Sequence, residues 1–161
     1  MRGGTQSIME GDGAPRLLLD THIWIWLMNG EPQRLGAATI DAIERAASTG
    51  AVYVSDISVW QVAMLESQGR IRLSRDCIEW VREALSAPGV QLLPLSPNIA
   101  VASSRLPGTF PGDPADRILA ASARLMTLPL VTRDERLLAY AAAHCVTVLE
   151  PHPLGSGGLR P

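Results

Sequence analysis

Short, uninterrupted apolar runs alternate along this chain with stretches in which apolar residues recur every three or four positions. The first run, Leu17–Asp20, ends in a carboxylate. Thr21–Met28 reads as a helix stopped by Asn29-Gly30. Ala37–Ser48 sets Ile40, Ile43 and Ala47 at helical spacing, with Asp41, Glu44 and Arg45 between them, and Gly50 closes it. Ala51–Val54 is a second strand, rich in β-branched residues. A helix follows over Ile57–Ser67, with Val59, Val62, Ala63 and, at the margin, Trp60 predicted to face inward. Arg75–Ser86 is another helix with a stripe of Ile78, Val81 and Leu85. Val90–Leu95 makes a third strand, Asn98–Leu106 a helix, and Leu106–Gly112 a Pro/Gly loop. Pro114–Met126 is a strong helix with proline in its first turn. Leu128–Val131, Glu135–Ala143 and Val146–Leu149 complete the pattern as strand, helix and strand.

Short apolar strands separated by helices belong to a parallel sheet covered on both faces. The expected fold class is therefore α/β, a three-layer α/β/α domain with a parallel sheet of about five strands. Residues 1–15 and 151–161, rich in Gly, Pro and polar residues, read as a flexible arm and a tail around a domain at 16–150.

Composition narrows the picture. The chain has 161 residues, of which 47% are hydrophobic and 19% charged, enough for one self-sufficient core and too apolar for disorder. No apolar run is long enough to cross a bilayer, and the N-terminus lacks the apolar stretch of a signal peptide, so a cytoplasmic location is expected. Net charge is −2, which excludes a globally basic nucleic-acid binder, yet all 14 basic residues other than His are arginine. Cys77 and Cys145 form no CxxC pair, and His22, His144 and His152 show no metal spacing.

In open α/β sheets the functional crevice lies beyond the carboxyl ends of the strands. Asp20 follows the first strand there. Ser55-Asp56, Ser58 and Gln61 follow the second, and Thr132-Arg133-Asp134 the fourth. The helix opening Asp113-Pro114-Ala115-Asp116 adds two more acids. Each has a plain structural reading. Asp20 and Asp113 suit helix N-caps, Ser58 and Gln61 match a capping pattern, and Thr132 with Glu135 has capping-box spacing that leaves Asp134 as a first-turn charge. Together they also suit a hard divalent cation with oxygen ligands.

The segments LLLDTHIWIW, VSDISVWQVAMLESQGRIRL and DPADRILAASARLMTLPLVTRDERL, in that order, resemble the PIN-domain family, and within it the VapC-type toxins of bacterial toxin–antitoxin pairs. The resemblance runs from about Leu17 to Glu150. It implies a PIN-like fold, endoribonuclease activity, and a Mg²⁺- or Mn²⁺-dependent acidic site. Residue by residue it carries catalytic and metal-binding roles onto Asp20, Asp116 and Asp134, with Asp113 as an additional acid. Where similar sequences place Glu, this chain has Gln61. That substitution keeps a carbonyl oxygen, removes a charge, and makes a catalytically weakened module that binds RNA or antitoxin the alternative function. Glu66 cannot replace the lost acid, since five residues on is roughly 140° around a helix. Asp56 and Asp113 are nearer candidates.

The resemblance also implies a homodimer and a cognate antitoxin lying over the acidic site. Trp24 and Trp26, two apart on one helix, cannot both face one core: either one packs against a partner, or both are buried between layers. Arg117, Arg133 and Arg136 flank the acids, and Arg70 with Arg72 forms a second basic patch. These are the candidate RNA contacts.

Overall fold

The computed structural model describes residues 15–110, 112–143 and 146–152. Most of the expected N-terminal arm, the tail beyond His152, and the pair His144 and Cys145 lie outside these residues.

Five strands form one parallel sheet: β1 (Leu17–Leu19), β2 (Val52–Ser55), β3 (Val90–Leu93), β4 (Leu130–Val131) and β5 (Val148–Leu149). Their order is β3-β2-β1-β4-β5. The chain thus grows outward from β1 in one direction, then returns to β1's other side. That reversal, between β1 and β4, is the switch point where a crevice opens at the carboxyl edge. Register sharpens it: Leu19 pairs with Val131 and with Val54, so one step further Asp20 emerges beside Thr132 and Ser55.

The helices are α1 (Thr21–Met28), α2 (Ala37–Ser48), α3 (Asp56–Ser67), α4 (Cys77–Leu85), α5 (Pro97–Ser103), α6 (Pro114–Met126) and α7 (Glu135–Ala143). A 3₁₀ turn over Pro32–Arg34, not anticipated from the pattern, joins α1 to α2. Successive side chains of a strand point to opposite faces. Leu17 and Leu19 accordingly pack with Trp24, Ile43, Val62 and Trp80 on one side, and Leu18 with Leu119, Leu128 and Leu137 on the other. Trp24 meets Trp80 edge-on at 5.1 Å, and Trp80 Nε1 donates to Asn29 Oδ1 at 3.1 Å, locking α4 against the end of α1.

Several expectations are corrected. In α3 the buried face is Ser58, Gln61, Val62 and Leu65, while Trp60 is 54% exposed, Ala63 is exposed and Val59 is half-buried. Polar side chains take inward positions there because α1 presents a hydroxyl to them. In α4 the inward set is Trp80, Val81 and Ala84, and Ile78 is 50% exposed. The third strand is a thinly covered edge, with Gln91 and Leu92 exposed, so not every strand is covered on both faces. Pro129 lies outside the short β4, although its carbonyl still accepts from Leu18 N at 2.9 Å. At the end of the described chain, Pro151 is buried and the His152 carbonyl lies where a side chain on Gly36 would stand. Gly36 also has φ 80°, a second reason for glycine there.

Candidate active site

The crevice is built on hydrogen bonds made by helix starts. Asp20 caps α1, accepting from Thr21 N at 2.7 Å. Its other oxygen accepts from Thr132 Oγ1 at 2.7 Å. The same hydroxyl oxygen accepts from Asp134 N at 3.0 Å. Thr132, fully buried, is therefore a strut between the acid after β1 and the acid after β4. Asp134 itself caps α7, accepting from Arg136 N at 2.9 Å and Leu137 N at 3.0 Å. This corrects the capping-box reading, in which Thr132 would have been the cap.

On the β2 side, Ser55 caps α3 by accepting from Ile57 N at 3.2 Å. Ser58 and Gln61 are not caps. Thr21 Oγ1 lies 2.8 Å from Ser58 Oγ and donates to the Gln61 side-chain oxygen, so both α3 residues are bonded into α1. Asp56 does not compensate for Gln61, because its Oδ2 accepts from Leu95 N at 3.1 Å and ties the end of β3 to α3. Glu66 is exposed. Asp113 caps α6 by accepting from Asp116 N at 2.9 Å, which holds the two acids together.

Electrostatics mark two of these groups. Burial raises the Asp20 pKa, opposed by its bonds from Thr132 and Thr21 and by His22. Asp116 is pushed up to about 7, first by burial, then by Asp113, Asp20 and Asp134, with Arg136 opposing. Asp116 thus feels all three other acids of the expected set. Among the described residues, however, no three acidic, His or Cys side chains converge into a ready-made cage for a metal.

The model of the PIN domain family matches residues 17–143. The chain belongs to the PIN-domain family. This PIN domain is 38% identical over 132 residues to Ribonuclease VapC22 of Mycobacterium tuberculosis (strain ATCC 25618 / H37Rv), covering 82% of this chain and 97% of that protein. Its fold is similar to VapBC2 from Rickettsia felis bound to a promoter DNA fragment, with TM-score 0.62, 15% identity, and coverage of 84% of this chain and 98% of that one. It is also similar to a toxin–antitoxin complex from Klebsiella pneumoniae, with TM-score 0.59, 24% identity, and coverage of 86% and 99%.

The residues of this PIN domain fit a hard divalent cation by their chemistry. The donors at the crevice are carboxylate and amide oxygens. Two of the carboxylates are burdened by burial and mutual repulsion, which a cation relieves. Mg²⁺ keeps several waters and takes few direct carboxylates, so a closed cage is not required.

The candidate RNA contacts separate. Arg133, Arg136 and Arg70 are exposed. Arg117 is half-buried, and its guanidinium donates to the carbonyls of Ser103 at 3.1 Å and Phe110 at 3.5 Å, which braces α5 and the following loop onto α6. Of the paired tryptophans, Trp24 is fully buried and Trp26 half-buried at the surface. Trp26 carries Arg34 and Arg133 near its ring, and Arg34 had no sequence signal of its own. The Cys77 thiol is half-buried, with its pKa raised by burial and then by Glu66 and Asp76, which suits a packing role.

Proposed function

We propose that this chain is a metal-dependent endoribonuclease, the toxin member of a toxin–antitoxin pair, acting in the cytoplasm. The observation that carries the reading is the frame in which Thr132 joins Asp20 and Asp134 beyond the switch point between β1 and β4, with Asp116 close enough for burial, Asp113 and both of those acids to raise its pKa to about 7. The likeness to Ribonuclease VapC22 supports the activity, and the solved toxin–antitoxin complexes of this fold support the antitoxin partner. No helix among the described residues is long and apolar enough to cross a membrane.

Asp20, Asp116 and Asp134 are the proposed ligands of Mg²⁺ or Mn²⁺, with Asp113 as an auxiliary acid. When bound, such an ion lowers the pKa of a coordinated water and offsets charge on the scissile phosphate. The chain's own groups set the geometry. Thr132 holds Asp20 and Asp134 in a common frame. Thr21 aims the Gln61 carbonyl oxygen, leaving that residue to position water or to serve as a weak ligand. Arg136, near Asp116, and Arg133 offer guanidiniums to the RNA backbone.

A second reading, a binding module with weakened catalysis, is favoured by the neutral Gln61 bonded to Thr21. One assay separates the two. Purified protein is incubated with single-stranded RNA and Mn²⁺, beside Asp20→Asn and an EDTA control. Cleavage by the wild type alone supports the nuclease. RNA binding without cleavage at any Mn²⁺ concentration supports the second reading. The homodimer is part of the proposal, and its support is the exposed apolar set of Trp60, Leu92, Leu95, Val101 and Leu125.

A further inference from the structure

Two clefts open side by side on the α1 surface. A smaller one, about 220 Å³, holds Asp20, Asp134 and Arg133 and belongs to the acidic site. A larger one, about 620 Å³, is lined by Arg34, Arg70 and Arg72 with a single acid, Glu31. His22 and Trp26 line both, so the clefts adjoin across these two side chains.

Trp26 organises the junction. The Arg34 guanidinium carbon stands 5.2 Å from its ring centroid and that of Arg133 5.7 Å, both within cation–π range. Arg133 Nη1 also donates to the Arg34 carbonyl at 3.3 Å. Two like charges on one ring repel each other, and only Arg34 has an ion-pair partner, Glu31 at 3.1 Å. Arg70, Arg72 and Arg133 make no ion pair among the described residues. A protein of net charge −2 therefore gathers three arginines against one glutamate in the larger cleft, with Arg133 beside it in the acidic one.

We infer that this groove is a second binding subsite, which holds the stretch of single-stranded RNA flanking the scissile linkage. The inference rests on the nuclease reading for the identity of the strand. Arg34 and Arg133, oriented by Trp26, take backbone phosphates through their outer N–H forks, and Arg70 and Arg72 take others along the larger cleft. The exposed His22 ring, 6.0 Å from that of Trp26, supplies the adjoining aromatic surface for a base, while Trp26 itself carries the two guanidiniums. Sequence-independent grip on a strand needs this combination of spaced cations and rings.

The test measures binding, apart from cleavage. A fluorescein-labelled single-stranded RNA is titrated in EDTA by anisotropy against the full chain. Arg34→Ala, Arg133→Ala and Arg72→Ala are each expected to weaken binding about three- to tenfold and to lower the salt slope by about one. Trp26→Leu is expected to match them, and Trp26→Phe to retain most of the binding, with circular dichroism confirming the fold. Arg124→Ala, in a separate cleft between α5 and α6, is the control and is expected to change nothing. Groove variants that bind RNA like wild type overturn the proposal, and so does an equal loss from Arg124→Ala. If groove variants keep RNA but lose an antitoxin peptide, the groove is a protein-binding surface and the proposal also fails. Groove-dependent RNA binding without Mn²⁺-dependent cleavage supports the subsite while the nuclease reading falls.

Discussion

At the scale of single residues, the site turns on hydroxyls as much as on acids. Thr132 is a buried two-way hydrogen-bonding group between Asp20 and Asp134, and Thr21 does the same work toward Ser58 and Gln61. Gln61 can accept from Thr21 as a glutamate would, so the local bonding survives the exchange and only the charge is lost. Gln61→Glu restores that charge at a buried position. It is expected to tighten Mn²⁺ binding by about an order of magnitude, about 1.4 kcal/mol, with RNA cleavage rising alongside. Asp20→Asn in the same background is expected to abolish the gain. Calorimetry with Mn²⁺ decides it, and unchanged affinity would reduce Gln61 to a buttress for Thr21.

At the scale of elements, the N-terminus of α6 holds two acids together at a cost. Asp113 supplies the cap, accepting from Asp116 N, and after burial its charge does most to raise the Asp116 pKa. The sign of the resulting pH dependence follows from the shift. In the native chain Asp116 keeps its proton to about pH 7, whereas an unfolded carboxyl loses it near 3.8. The native state therefore binds more protons between these values, and this group's contribution to stability falls as pH rises across that window. In EDTA, thermal melts are expected to show a higher midpoint at pH 5 than at pH 7.5 from this source. Asp113→Asn keeps a capping side chain and removes the charge, so it should flatten the dependence. Asp113→Ala should flatten it too, but lose about 1 kcal/mol at every pH with the cap. Identical pH slopes in all three proteins would show that Asp113 and Asp116 are not coupled.

At the scale of the whole molecule, several large apolar side chains stay exposed, and the proposed homodimer would cover them. Trp60 at 54% exposure stands on α3, and Leu95, whose backbone bonds to Asp56 of the same helix, is also exposed. Val101 and Leu125 extend the set onto α5 and α6, which pack together. Light scattering at micromolar concentration is expected to give twice 17.3 kDa, and Trp60→Asp to shift the mass toward a single chain. A wild-type mass of 17.3 kDa would exclude the homodimer. Trp60 also explains a misreading. Trp60 looks like a core residue by hydropathy, and periodicity cannot distinguish an apolar position turned to the core from one turned to the surface.

The alternation of apolar runs and helical periods by itself determined the α/β class, the five strands and the boundaries of α1, α2, α6 and α7, because these depend on local period and on caps such as Asp20 and Asp113. It also placed the acids after strands, where a parallel sheet concentrates chemistry. Strand order, and with it the switch point between β1 and β4, was decided only by tertiary structure, since pairing brings together residues more than a hundred positions apart, as in the Thr132 bond to Asp20. The buried polar face of α3 was equally invisible. Ser58 and Gln61 turn inward because Thr21 of α1 meets them there, and no local pattern announces a partner 37 to 40 residues away. The grouping of Arg34, Arg70 and Arg133 around Trp26 has the same cause, since charge along a chain says nothing of charge across a groove.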